Sequence, residues 1–85
     1  MSNHPTDFQG NVVDALREAI ETKIQNSRAN VTGGGGHYTI EVVSATFQGL
    51  GMLDSQRLVY SAIAHLMQGD LAPVHAVDKL TTRVG

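Results

Sequence analysis

Four histidines and no cysteine bound the chemistry open to this chain of 85 residues. Imidazole can move protons or, when neutral, ligate a metal. Catalytic use needs company: a nucleophile beside a base, facing carboxylates, or a glycine-rich phosphate loop. No such arrangement is visible, so the chain reads as a non-enzyme. Metal binding meets a different limit. With no thiolate, any metal held here rests on histidine, or a partner supplies the sulfur. His37 and His75 are the candidates. His65 lies seven residues after Leu58, off the apolar stripe, and reads as solvated. His4 sits in a polar lead-in and is set aside. A single histidine is more often a surface or capping residue than a ligand, so the case depends on elements that bring two together.

Those elements are readable. Residues 1–10, with Pro5 and Gly10, form an expected flexible lead-in, and residues 11–82 the domain. Val12, Val13, Leu16, Ala19, Ile20 and Ile24 recur at spacings of three and four, which predicts a helix to about Gln25. Asn11 or Asp7 could cap it. Arg28 to Thr32 suits a short strand. The run Gly33 to Gly36 is expected to be a mobile loop, because ordering glycine costs backbone entropy. His37 to Ser44 is the clearest strand, with Tyr38, Ile40 and Val42 on one face and His37, Thr39, Glu41 and Val43 on the other.

After the connection Phe47 to Gly51, Asp54 or Ser55 is expected to cap a second helix reaching about Gln68. Its stripe is Leu58, Val59, Ala62, Ile63, Leu66 and Met67. Pro73 suits a strand start, and Val74 to about Thr82 reads as the last strand, with residues 83–85 a frayed end. The order is α-β-β-α-β. If the second and third strands are neighbours, the intervening helix makes them parallel. Parallel neighbours begin at one sheet edge, which brings His37 and His75 near each other. Alternation favours a shared face too, grouping His75 with Lys79 and Thr81, and His37 with Thr39 and Glu41. Val77 and Asp78 interrupt that pattern.

Composition narrows the class. Hydrophobic residues make up 41%, as expected of one folded domain. No apolar run approaches the ~20 residues that cross a bilayer. The polar start resembles neither a signal nor a transit peptide. The lack of cysteine fits a reducing, cytoplasmic setting. Net charge is −2, and six Lys and Arg are scattered without a cluster, a weak footprint for nucleic acid.

Three segments carry a resemblance to the BolA family, from about Val12 to Thr82. They are His37-Tyr38-Thr39-Ile40-Glu41-Val42-Val43-Ser44, then Phe47-Gln48-Gly49 followed by Arg57-Leu58-Val59-Tyr60, then Val74-His75-Ala76-Val77. The resemblance implies a class II KH-like α/β sandwich, with helices on one face of a three-stranded mixed sheet. It also implies an adaptor that pairs with a monothiol glutaredoxin and shares a [2Fe–2S] cluster with it, in cluster trafficking or iron regulation. The expected form is a monomer alone and a heterodimer with the glutaredoxin. The family's near-universal histidine falls on His75. Its variable second ligand, a cysteine or histidine in or after the first interstrand loop, falls on His37. A glutaredoxin cysteine and a glutathione thiol would complete the site, and ligation by neutral imidazole should weaken on acidification. Ser55-Gln56 departs from the Arg-His that often precedes the helical Arg-Leu-Val-Tyr. Many members also continue past the last strand with a Thr-Pro turn and a short helix, where this chain stops at Gly85.

A second reading is a KH-like nucleic-acid-binding transcriptional regulator. The backbone-clamping G-x-x-G of KH domains joins two helices. Here Gly33 to Gly36 joins two strands, so that match is accidental. Gly49-Leu50-Gly51 lacks both the spacing and adjoining basic residues. Arg57 and Tyr60, three apart on one helix, suit either a partner surface or a solvated face, and Phe47 suits a core anchor.

Overall fold

The computed structural model describes residues 11–85, so the expected lead-in and His4 lie outside the described residues. Helix α1 spans Val12–Lys23. Asn11 caps it, its Oδ1 accepting the Asp14 N–H at 3.0 Å and satisfying one amide that a helix start leaves open. Asp14 in turn pairs with Arg17 one turn on. The helix stops slightly before the expected Gln25. Asn26 then turns the chain at φ 54°, a left-handed conformation that asparagine tolerates.

Strands β1 (Ser27–Gly34) and β2 (His37–Ser44) form an antiparallel hairpin. The glycine run corrects the sequence expectation. Gly33 and Gly34 belong to β1, where they pair with Tyr38 and His37. Only Gly35 and Gly36 make the turn, at φ 63° and 89°. Two successive positive φ angles are what a two-residue type I′ hairpin demands. Pairing with β2 outweighs the entropic cost that pointed to a four-residue loop.

After a 3-10 turn over Ala45–Phe47, helix α2 spans Met52–Ile63 and a second 3-10 turn covers Ala64–Leu66. Here too the ends differ from expectation. The N-cap is Gly51, whose carbonyl accepts the Ser55 N–H at 3.0 Å, rather than Asp54 or Ser55. Ser55 is instead buried inside the helix. The α-helix also ends at Ile63, short of Gln68. Strand β3 runs Ala76–Arg83, so Val74 and His75 precede it, and Arg83 is a paired strand residue rather than part of a frayed end.

The strand order is β1-β2-β3, with β2 and β3 parallel. Tyr38, Ile40 and Val42 turn inward as their alternation requires. They pack with Leu16, Ile20 and Ile24 from α1, Val59 and Ile63 from α2, and Phe47 and Leu66 from the turns. Phe47 is the largest fully buried side chain. Both helices therefore cover one sheet face. Arg28, Asn30, Thr32, His37 and Thr39 are exposed on the other. This is the three-stranded mixed sheet, with helices on one face, that the resemblance implied.

Candidate functional site

The histidine edge is built by backbone. Gly36, the second turn residue, turns its carbonyl toward the incoming end of β3. It accepts the N–H of His75 at 2.8 Å and of Ala76 at 3.0 Å. The next residue, His37, lies opposite Ala76 in the parallel register. The hairpin turn is thereby tied to the start of β3, and the two histidines reach the same edge of the sheet. Val74, 1% exposed, anchors the approach to β3 from below, its N–H donating to the Leu66 carbonyl at 3.1 Å.

Gly36 also makes room. A Cβ placed on it would lie 3.0 Å from both Cγ and Cδ2 of His75. The His75 ring thus rests over the Gly36 backbone, where a Cβ would crowd it and where a φ of 89° already favours glycine. Among the described residues no side-chain hydrogen bond engages that ring. His75 is exposed and stands at the rim of a depression of about 230 Å³ lined by Met67, Asp70, Ala72 and Val74.

His37 is held differently. Its Nδ1 lies 3.1 Å from Oδ1 of Asp78, with both side chains more than half exposed. Asp78 is the extra residue of a bulge: Val77 pairs with Tyr38 and Lys79 with Thr39, leaving Asp78 unmatched. A bulge re-aims a side chain and shifts the strand's phase. Simple alternation from His75 to Lys79 therefore does not describe this strand. What unites the two histidines is the edge: Gly36 precedes His37 in the chain and its backbone meets His75.

The sequence placed His37 and His75 at one sheet edge, as the structure does, but not the Gly36 carbonyl bonds to β3 or the Asp78 contact with His37. For Gly36 the signal was present, a glycine immediately before a candidate ligand. For Asp78 it was the interruption in alternation. His65 is exposed and lines a groove of about 820 Å³ between α1 and α2, together with Ala15, Glu18, Ala19 and Ser61. That groove shares no residue with the depression beside His75. Arg57 and Tyr60 are both exposed on α2.

The donor set fits half a metal site. Among the described residues, no group of three or more His, Asp or Glu side chains could hold a metal ion. Two accessible imidazoles at one edge can occupy part of a coordination shell and leave the remainder to a second molecule. Two histidines on one iron of a [2Fe–2S] cluster, with thiolates on the other, is an established ligand pattern.

The family model for BolA-like proteins matches residues 14–83. The chain belongs to the BolA-like family. Its fold agrees with that of a BolA homologue from Coxiella burnetii, at TM-score 0.73 and 33% identity, covering 88% of this chain and 92% of that one. Mouse BolA1 is similar at TM-score 0.62 and 27% identity, over 98% of this chain and 73% of that one. BolA1 from Arabidopsis thaliana superposes at TM-score 0.74 with 17% identity, over 89% and 94%, a likeness of fold alone. No curated protein matches the sequence. The BolA-like match spans the hairpin, the helical Arg57-Leu58-Val59-Tyr60 and the segment around His75, so both histidines fall within it.

Proposed function

We propose that this BolA-like protein is a non-enzymatic, cytoplasmic adaptor that binds a monothiol glutaredoxin and shares a [2Fe–2S] cluster with it. His75 and His37 would hold one iron, and a glutaredoxin cysteine with a glutathione thiol would hold the other. When bound, the cluster supplies iron–sulfur cargo for trafficking or an iron signal. The chain's own residues present imidazole nitrogens from one sheet edge. The observation that carries this reading is the backbone tie at Gly36, which sets two exposed histidines at one sheet edge. An incomplete, outward-facing donor pair suits a site finished by a partner. Among the described residues no helix is long and apolar enough to cross a membrane.

The nucleic-acid reading draws less support. Of the six Lys and Arg, Arg17, Arg57 and Arg83 each lie beside a carboxylate, Asp14, Asp54 and Glu41 respectively. The cations left for phosphate are few and scattered, so any binding should be weak and vanish at physiological salt.

The test is titration into cluster-loaded monothiol glutaredoxin, followed by visible absorption and circular dichroism. The native protein should bind no cluster alone. It should give a heterodimer whose spectrum differs from that of the glutaredoxin homodimer, because nitrogen replaces sulfur on one iron. His75→Ala should abolish that change and His37→Ala should make the cluster more labile. An unaltered spectrum and cluster lifetime with His75→Ala would overturn the mechanism.

A further inference from the structure

Asp78 has a geometric relation to His37 that the shared-cluster reading leaves unused. We propose that Asp78 is a positioning residue that selects which nitrogen of His37 faces iron, an inference that rests on the function proposed above. The argument starts from hydrogen-bond inventory. An ionised carboxylate only accepts. With Nδ1 3.1 Å from the Asp78 Oδ1, the neutral ring must therefore carry its proton on Nδ1 and donate it. The lone pair is then on Nε2, at the far side of the ring from the carboxylate. A ligating histidine held by a carboxylate on its other nitrogen is oriented and made more basic, and loss of such a support costs metal affinity about 10- to 100-fold.

The bulge is what makes this possible. In an unbroken parallel register the residue opposite Thr39 would follow Val77 directly. Here Asp78 is inserted between Val77 and Lys79 and belongs to no pair. An irregularity in a strand eight residues long has been placed one residue after the Tyr38 partner, where its side chain reaches back to His37. His75 has no comparable support. Its ring is placed by the Gly36 surface and makes no side-chain hydrogen bond among the described residues. The two ligands thus differ in kind: one is seated on backbone, the other is aimed by an acid.

The experiment has two arms. The first uses the cluster-free protein labelled with nitrogen-15, at a pH where the rings are neutral, and reads each imidazole tautomer from its proton–nitrogen correlations. Native His37 should be the Nδ1–H form. Asp78→Asn keeps an acceptor oxygen and should retain that form. Asp78→Ala should shift His37 toward the Nε2–H form that an unconstrained ring prefers, and leave the His75 tautomer unchanged. The pair is exposed, so Asp78→Ala should also leave the melting temperature near native, which separates orientation from folding.

The second arm titrates the same variants into cluster-loaded monothiol glutaredoxin. Asp78→Ala should shorten the mixed-cluster lifetime about 10-fold, with Asp78→Asn closer to native. A native His37 found as the Nε2–H form, or a tautomer unmoved by Asp78→Ala, overturns the proposal. So does a shifted tautomer with an unchanged cluster lifetime. If the native protein itself forms no mixed cluster, the adaptor reading fails and the role of Asp78 toward iron falls with it. That outcome is recognised because native and variant fail alike.

Discussion

The helix-covered face of the sheet and its histidine edge are built on opposite terms. On the covered face, Leu16, Ile20, Ile40, Val59 and Ile63 are fully buried, and the arrangement is fixed by side-chain packing. At the edge, His37 and His75 are exposed, and their placement is fixed by a glycine carbonyl, a turn conformation and one acid. Stability and candidate chemistry therefore reside in different atoms. A substitution in one region should move unfolding. A substitution in the other should move ligand chemistry while the fold stands.

The largest expected effect lies on the covered face. Leu66→Ala removes a buried side chain, 6% exposed, from the point where α2 hands over to β3. It should destabilise the protein by about 2–5 kcal/mol, measured from the denaturant midpoint, because the surrounding structure collapses only partly into the cavity. For a domain of this size that is a large share of the total. An unmoved midpoint would break the comparison at its first term.

Gly36→Ala should fall between the two regions, because Gly36 serves both. Its φ of 89° disfavours any side chain, and the new Cβ would press on the His75 ring. A cost of about 1–3 kcal/mol is expected from the strained backbone. The same variant should displace the His75 imidazole and diminish the mixed-cluster signal with glutaredoxin. Native behaviour in both measurements would mean that the turn does not position His75. Asn11→Ala sharpens the contrast from the other side. It should cost about 1 kcal/mol through the lost cap and leave ligand chemistry untouched, since Asn11 sits at the start of α1.

The same division explains how much was legible in the sequence. Period-two alternation in Tyr38, Ile40 and Val42, and the three-four spacing from Val12 to Ile24, report burial directly, so the layers could be read, whereas the strand order came from the structure. Given that β2 and β3 are neighbours, which the structure supplies, the rule that a crossover makes strands parallel brings His37 and His75 to one edge. What escaped was backbone detail. Gly33 and Gly34 look unsuited to a strand until β2 supplies their partners. Met52 and Leu53 are exposed apolar residues, so the true start of α2 at Gly51 had no polar cap to mark it. The bulge at Asp78 appears in sequence only as a broken pattern, and a broken pattern does not say where the side chain points.

The smallest stability effect should come from removing both histidines at once, and it tests the comparison most sharply. His37 and His75 are exposed, so their replacement opens no cavity. The His37–Asp78 pair lies in solvent, where such pairs contribute little. The Gly36 carbonyl keeps both of its bonds, because the donors are the backbone N–H groups of His75 and Ala76. The double variant His37→Ala, His75→Ala should therefore unfold within about 0.5 kcal/mol of native, the range of surface substitutions away from special features. It should give no spectral change with cluster-loaded glutaredoxin. Loss of more than about 1 kcal/mol would show the imidazoles, His75 against the Gly36 backbone above all, to be structural members of the edge. Their exposure would then no longer argue for a ligand role, and the division between packed face and chemical edge would fail at the residues on which it rests.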